Sequence, residues 1–273
     1  MMHIKILGSA AAEGFPAMFC ECDTCKRARA EGGRSIRARS QAVIDNTILI
    51  DFGPDTMLQT LKGALDLTKV KHILITHAHR DHLDVDDMEN RTDGFCTIPD
   101  KKPLDVYAGT CSIEMMRERS AKFQEAYTLH EIKPFETFAV GDYTVTSLKA
   151  AHAPTTDPVL YLISKDGKTF FYATDTGCFP EETLAYLKEN VSHIDAITLD
   201  CTVMLNPGWK NHLGLATCVE TIETLKTFGI IDEKTQIYMH HFTHNGGATH
   251  SEFVPIAGEH GFGVTYDGME IDI

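Results

Sequence analysis

The sequence has no apolar run long enough to cross a membrane, and the apolar part of its opening stretch, MMHIKILGSA, is too short for a signal peptide. The expected location is therefore the cytoplasm, with no membrane partner. It also has no internal repeat, no low-complexity tract and no linker-like segment. Its 273 residues are expected to form one domain over 1–273, long enough to bury a sizeable core. A basic excess is missing too: 25 Lys and Arg stand against 39 Asp and Glu, a formal charge of −14. That balance argues against nucleic acid as the main partner. It leaves room for a small anionic substrate, because bound divalent ions invert the field locally. Nor do the eight cysteines follow a disulfide framework: Cys20, Cys22 and Cys25 cluster as CECDTC and the other five are scattered singly.

What is present is a succession of short β-like runs: HIKILG, QAVIDN, TILIDFG, KHILIT, LDVYAG, YTVTSLKA, VLYLIS, KTFFYATD, DAITLD, TQIYMHH and VTYDGMEIDI. Several are rich in β-branched and aromatic residues and bounded by Gly, Asp or Pro. SKDGK and YDGME place Asp-Gly where a hairpin turn wants it. Between the runs, PDTMLQTLKGAL, TCSIEMMRERSAKF, PEETLAYLKEN and HLGLATCVETIETLKTFG carry apolar residues at helical spacing. Strands in each half with helices between them fit a four-layer α/β sandwich, two packed sheets with helices outside, better than a doubly wound sheet.

The chemistry concentrates in THAHRDH, residues 76–82, directly after the strand-like VKHILI. In an extended segment His77 and His79 project to one side. Asp81 and His82 are adjacent, so they are expected to diverge and serve a second centre. Imidazole nitrogen with carboxylate oxygen suits Zn, Mn or Fe with positions left open for water. A complete two-metal site needs further ligands at other strand ends. His152 follows YTVTSL, Asp175 ends KTFFYATD, and His240, His241 and His244 follow TQIYM.

That order, His-x-His-x-Asp-His followed by His, Asp and His, resembles the signature of the metallo-β-lactamase superfamily. The resemblance implies the αββα sandwich of that superfamily and two divalent metal ions, Zn or Mn. His77, His79 and His152 would hold one, Asp81, His82 and His241 the other, and Asp175 would bridge them. His241 rather than His240 matches the last ligand.

Cys20, Cys22 and Cys25 at C-x-C-x-x-C spacing need a fourth ligand for a closed tetrahedral zinc site, and His244 is a candidate. Together with EGFPA, NHLGLAT, the H-x-x-H of HHFTH and the closing DGMEI, the cluster resembles the PhnP-like branch, the phosphoribosyl 1,2-cyclic phosphate phosphodiesterases. This second resemblance implies one structural Zn on Cys20, Cys22, Cys25 and His244, pinning an N-terminal loop at about 8–26. It also places His212, read as lying at a helix N-terminus, over the metals. The segment after His82 matches the family poorly. Its Arg91 could reach a substrate phosphate but reads better as an exposed arginine on a short helix.

The expected function is a binuclear metal-dependent phosphodiesterase acting on a small anionic phosphodiester. Two metals would lower the pKa of a bridging water, Asp81 and Asp175 would orient it, and His212 would assist the leaving alkoxide. A homodimer is compatible with this expectation. The rivals are a tRNA 3′-processing nuclease, which should carry an RNA-grasping arm rich in Lys, Arg and Gly, and a non-catalytic metal-binding accessory protein. No such arm is found.

Overall fold

Successive apolar residues of a strand point to opposite faces of its sheet, as Ile48 and Ile50 do against Leu49, and that sorts the molecule into layers. The structure is a computed structural model and describes residues 1–273. Its strands are β1 (His3–Gly8), β2 (Gln41–Ile44), β3 (Ile48–Ile50), β4 (His72–Leu74), β5 (Leu104–Ala108), β6 (Tyr127–Glu131) and β7 (Thr137–Val140). They continue with β8 (Tyr143–Lys149), β9 (Val159–Lys165), β10 (Lys168–Ala173), β11 (Ala196–Asp200), β12 (Gln236–His240), β13 (Gly263–Val264) and β14 (Glu270–Asp272). The helices are α1 (Asp23–Glu31), α2 (Thr56–Leu61), α3 (Val85–Met88), α4 (Thr110–Arg117), α5 (Ala121–Ala126), α6 (Glu181–Asn190), α7 (Leu215–Thr227) and α8 (His250–Gly258).

Two seven-stranded sheets form, in the orders β14-β1-β2-β3-β4-β5-β6 and β13-β12-β11-β10-β9-β8-β7. Each begins as an antiparallel meander and continues as four parallel strands, β3 to β6 in one and β10 to β13 in the other. Parallel neighbours need crossover connections, and α2 to α8 lie in those crossovers. Ile4, Ile6, Ile48 and Ile50 of one sheet meet Val145, Tyr161, Phe170 and Tyr172 of the other in a central core. On the opposite faces Leu49 and Val106 are buried with Ile113 of α4 and Phe123 of α5, and Phe171 with Leu187 of α6, Ile222 of α7 and Phe253 of α8. Three apolar seams between four layers give the αββα sandwich expected from the sequence. No helix is long and apolar enough to cross a membrane.

Several local readings change. The β9–β10 hairpin turns on Asp166 and Gly167, both with positive φ, as SKDGK predicts. The Asp267–Gly268 turn instead joins β13 to β14, which lie in different sheets, so YDGME is not a hairpin. TCSIEMMRERSAKF splits into α4 and α5, because the Ser120 side chain accepts the Phe123 amide and caps a new helix. Strands β6 and β7, absent from the sequence reading, are half-exposed sheet edges whose polar residues blur the alternation.

Candidate metal centre

Strand ends from both sheets deliver the chemistry to one place. THAHRDH follows β4, His152 follows β8, Asp175 follows β10 and His241 follows β12. His77, His79 and His152 offer nitrogens that lie within 4.8 Å of one another. Asp81, His82, Asp175 and His241 form a second group on the same measure. The expectation that Asp81 and His82 diverge is corrected. The segment turns, with the His82 amide donating to the His79 carbonyl at 3.0 Å. Both side chains therefore face one centre, Asp81 Oδ2 lying 3.1 Å from His82 Nε2. Glycine makes the turn's position available: a Cβ on Gly53 would sit 1.9 Å from the Asp81 carbonyl oxygen.

Asp175 stands between the two groups. Its Oδ2 is 2.6 Å from His82 Nε2 and 3.0 Å from His241 Nε2, and its Oδ1 is 3.9 Å from His152 Nε2. All three of His82 Nε2, Asp175 Oδ2 and His241 Nε2 are buried without a hydrogen-bond partner. Orphaned buried polar atoms are costly, and three that converge in one pocket with imidazole and carboxylate chemistry fit divalent metal ions. The backbones of Asp175 and His241 have positive φ, a strain that clusters where function fixes a side chain.

Outside these residues lies a supporting shell. Asp51, fully buried, accepts from His82 Nδ1 at 2.7 Å and from the Thr76 amide at 2.8 Å, which leaves His82 Nε2 facing the centre. Thr202 Oγ1 lies 2.9 Å from His241 Nδ1 and does the same there. Asp200 Oδ2 is 3.1 Å from His212 Nδ1, and its Oδ1 accepts the Leu213 amide. The sequence reading passed over Asp51, Thr76, Asp200 and Thr202. The available signal was positional: TILIDFG and DAITLD each end a buried strand in a carboxylate, as KTFFYATD does.

Burial holds His77 and His152 below the usual imidazole range, so both stay neutral and able to donate a lone pair. Burial also opposes ionisation of Asp81 and Asp175, but neighbouring imidazoles outweigh it and hold both below the usual carboxylate range. His82 is raised because Asp81, Asp51 and Asp175 overcome its burial. A cation at its Nε2 would answer that negative charge. His212 is raised as well, since Asp200 outweighs the burial of the ring. The helix argument for His212 is corrected: α7 begins at Leu215 with Gly214 as its cap, so His212 lies ahead of the helix and is held by Asp200.

Cys20, Cys22, Cys25 and His244 also converge within 4.8 Å. Cys20 Sγ and Cys22 Sγ lie 3.5 and 3.4 Å from His244 Nδ1, and Glu13 Oε1 lies 3.8 Å from its Nε2. Cys22 caps α1, and three sulfurs with one nitrogen fit a closed zinc site. His244 opens the turn that follows His241, Phe242 and Thr243, so one short segment ties the cysteine cluster to the first centre. His240 does not join either centre; its Nε2 and Nδ1 bond Ser40 and Thr265. Arg91 is half-buried on a single 3-10 turn, donates to the carbonyls of Ala126 and Lys102, and braces its own segment.

The model of the beta-lactamase superfamily domain matches residues 46–242, from the β2–β3 turn to just past His241. The chain belongs to this superfamily. Among curated superfamily relatives, coenzyme PQQ synthesis protein B of Klebsiella pneumoniae (strain 342) is 28% identical over 240 residues, covering 74% of this chain and 72% of the relative. In fold, the chain resembles a diphosphatase from the PhnP family, with TM-score 0.78, 21% identity, and 99% and 96% of the two chains covered. It also resembles Zn(2+)-bound PqqB from Methylobacterium extorquens, with TM-score 0.76, 20% identity, and 99% and 100% covered.

Proposed function

We propose that the chain is a binuclear metal-dependent hydrolase of a small phosphodiester, with phosphoribosyl 1,2-cyclic phosphate the first substrate to test. The reading rests on one arrangement: Asp175 between two histidine-rich groups, with His212 beside it on a buried carboxylate. His77, His79 and His152 would hold one ion, and Asp81, His82 and His241 the other, with Asp175 shared. Such ions supply an activated water and neutralise phosphoryl oxygens. Cys20, Cys22, Cys25 and His244 would hold a structural zinc.

The chain's own residues do the rest. Asp81 and Asp175 accept hydrogen bonds from the attacking water and fix its line of approach. Asp200 holds the Nδ1 proton of His212, so the free Nε2 presents its proton to the departing alkoxide. The raised His212 keeps that proton available near neutral pH. The Cys20–His244 cluster pins the N-terminal loop to the segment that carries His241.

The test is hydrolysis of phosphoribosyl 1,2-cyclic phosphate by protein loaded with Mn or Zn, with Asp175→Ala alongside. Turnover that depends on Asp175 supports the proposal. Cleavage of a generic aryl phosphodiester alone would keep the mechanism and change the substrate. A second reading, a role like that of the PQQ synthesis protein B relatives without ester hydrolysis, is favoured by their 26–28% identity. Metal bound tightly with no ester cleaved would select it.

A further inference from the structure

The chain has nine arginines, and the guanidinium groups of seven donate hydrogen bonds to the protein itself. Of the other two, Arg80 lies open to water, where its donors are satisfied. Arg39 is different, because its side chain is only 20% exposed. Its Nε is buried without a hydrogen-bond partner, and no carbonyl or side chain accepts from Nη1 or Nη2. The nearest carboxylate is Asp55, whose Oδ2 lies 3.8 Å from Nε and accepts the Arg39 backbone amide at 2.9 Å instead. A guanidinium that has given up most of its water and gained no acceptor is costly to keep. An anion from outside the chain would supply what is missing.

The backbone places this residue at the edge that carries the metal centre. Residues 9–11 run between Arg39 and Phe242, with Ala10 bridged to both. The Ser40 amide donates to the Ala10 carbonyl, and the Phe242 amide to the Ser9 carbonyl, each at 2.9 Å. Arg39 therefore lies two strand spacings, about 10 Å, from the backbone next to His241. On its other side Asp55 stands two residues on from Gly53, which packs against the Asp81 carbonyl. The segments flanking Arg39 thus lead to His241 and to Asp81, both assigned to the same ion.

We infer that Arg39 binds a second phosphate of the substrate, one that is not hydrolysed, while the metal centre takes the diester. The inference rests on the phosphodiesterase reading and narrows its substrates to diesters that carry a further phosphate, as phosphoribosyl 1,2-cyclic phosphate does at its C5. Nη1 and Nη2, unspent on the protein, can offer the paired N–H groups that fork onto phosphate oxygens. Asp55 fixes the Arg39 backbone without taking those donors. A contact so far from the reacting phosphorus selects the substrate by binding it.

Zinc-loaded protein is titrated by calorimetry with ribose 5-phosphate and with ribose 1,5-bisphosphate. Either ligand can put one phosphate on the metals, but only the second has another for Arg39. The bisphosphate should bind about tenfold tighter. Arg39→Ala should bring the two affinities together, Arg39→Lys should keep part of the preference, and Asp55→Asn should keep all of it. If Arg39→Ala does not fold, Arg39→Gln, which retains most of the stem, takes its place. Equal affinities in the unaltered protein, or an undiminished preference in the neutral variant, would overturn the inference. The KM for phosphoribosyl 1,2-cyclic phosphate, measured on the same preparations, should rise about tenfold in Arg39→Ala with kcat nearly unchanged. Turnover without any bisphosphate preference removes the subsite and leaves the hydrolase. A preference that depends on Arg39, with no ester cleaved, removes the hydrolase reading and leaves the subsite.

Discussion

Asp200 and His212 form a part-buried pair at the edge of the candidate centre, Oδ2 to Nδ1 at 3.1 Å, with the carboxylate fully excluded from solvent. Removing the charge while keeping the shape isolates what the pair does. Asp200→Asn should lower kcat on the order of ten- to a hundredfold, the usual cost of losing such support. His212 then loses the partner that raises its pKa. The basic limb of the kcat profile should move to lower pH, and an unmoved limb would remove His212 as the acid.

Asp175 touches both histidine groups, so its loss should be felt by both. Asp175→Ala is expected to abolish turnover and to release active-site metal, while zinc on the Cys20–His244 cluster stays. Metal content by atomic emission, read beside activity, checks this. Full metal content with full activity would refute the assigned site.

The thiols of the N-terminal cluster should differ in reactivity. Burial opposes ionisation of Cys22, yet the Cys25 amide and the Cys20 and His244 side chains bring it down to about 6. Burial pushes Cys25 up to about 12. In metal-free protein, iodoacetamide should therefore modify Cys22 well before Cys25 at neutral pH, with the rate rising through pH 6. Zinc should protect both. Peptide mapping that finds equal labelling would contradict this order.

His250 couples stability to pH away from the centre. Burial, Arg37 and Arg34 lower it to about 4, and its Nδ1 lies 2.9 Å from the Arg37 guanidinium, which requires the neutral ring. Because the folded value lies below the unfolded one of about 6.5, its contribution is present above about 6.5 and lost as pH falls toward about 4. The melting temperature should drop across that window, and His250→Gln should flatten the drop.

Gly53 permits the turn that aims Asp81. A methyl group there would meet the Asp81 carbonyl at 1.9 Å, so Gly53→Ala should cost about 1–3 kcal/mol of stability. It should also weaken metal binding. Denaturant midpoints and metal content should fall together; a neutral result on both would show that the turn yields easily.

The layered fold was readable because short runs such as TILIDFG and KTFFYATD are rich in β-branched and aromatic residues and bounded by Gly or Asp. The candidate ligands were readable because one six-residue cluster narrowed the search for the rest. Other features escaped, among them α1, whose first turn falls inside the stretch read as a loop. Edge strands β6 and β7 expose too much polar surface to alternate cleanly. Helix α8 carries Pro255 and ends at Gly258, residues that suppress a helical reading, although Thr249 and Glu252 cap it. The supporting carboxylates Asp51 and Asp200 lie far in sequence from the histidines they orient, and only closure of the two sheets brings each pair together.

That closure sets a timetable for the growing chain. Cys20, Cys22 and Cys25 leave the ribosome long before His244, and His77 to His82 long before Asp175 and His241. Neither constellation can be finished until β12 has been translated and laid against β11. An ion captured earlier would be held by a fraction of its eventual donors. The ability to retain metal is therefore acquired late in biosynthesis and marks the moment when the last parallel strands dock.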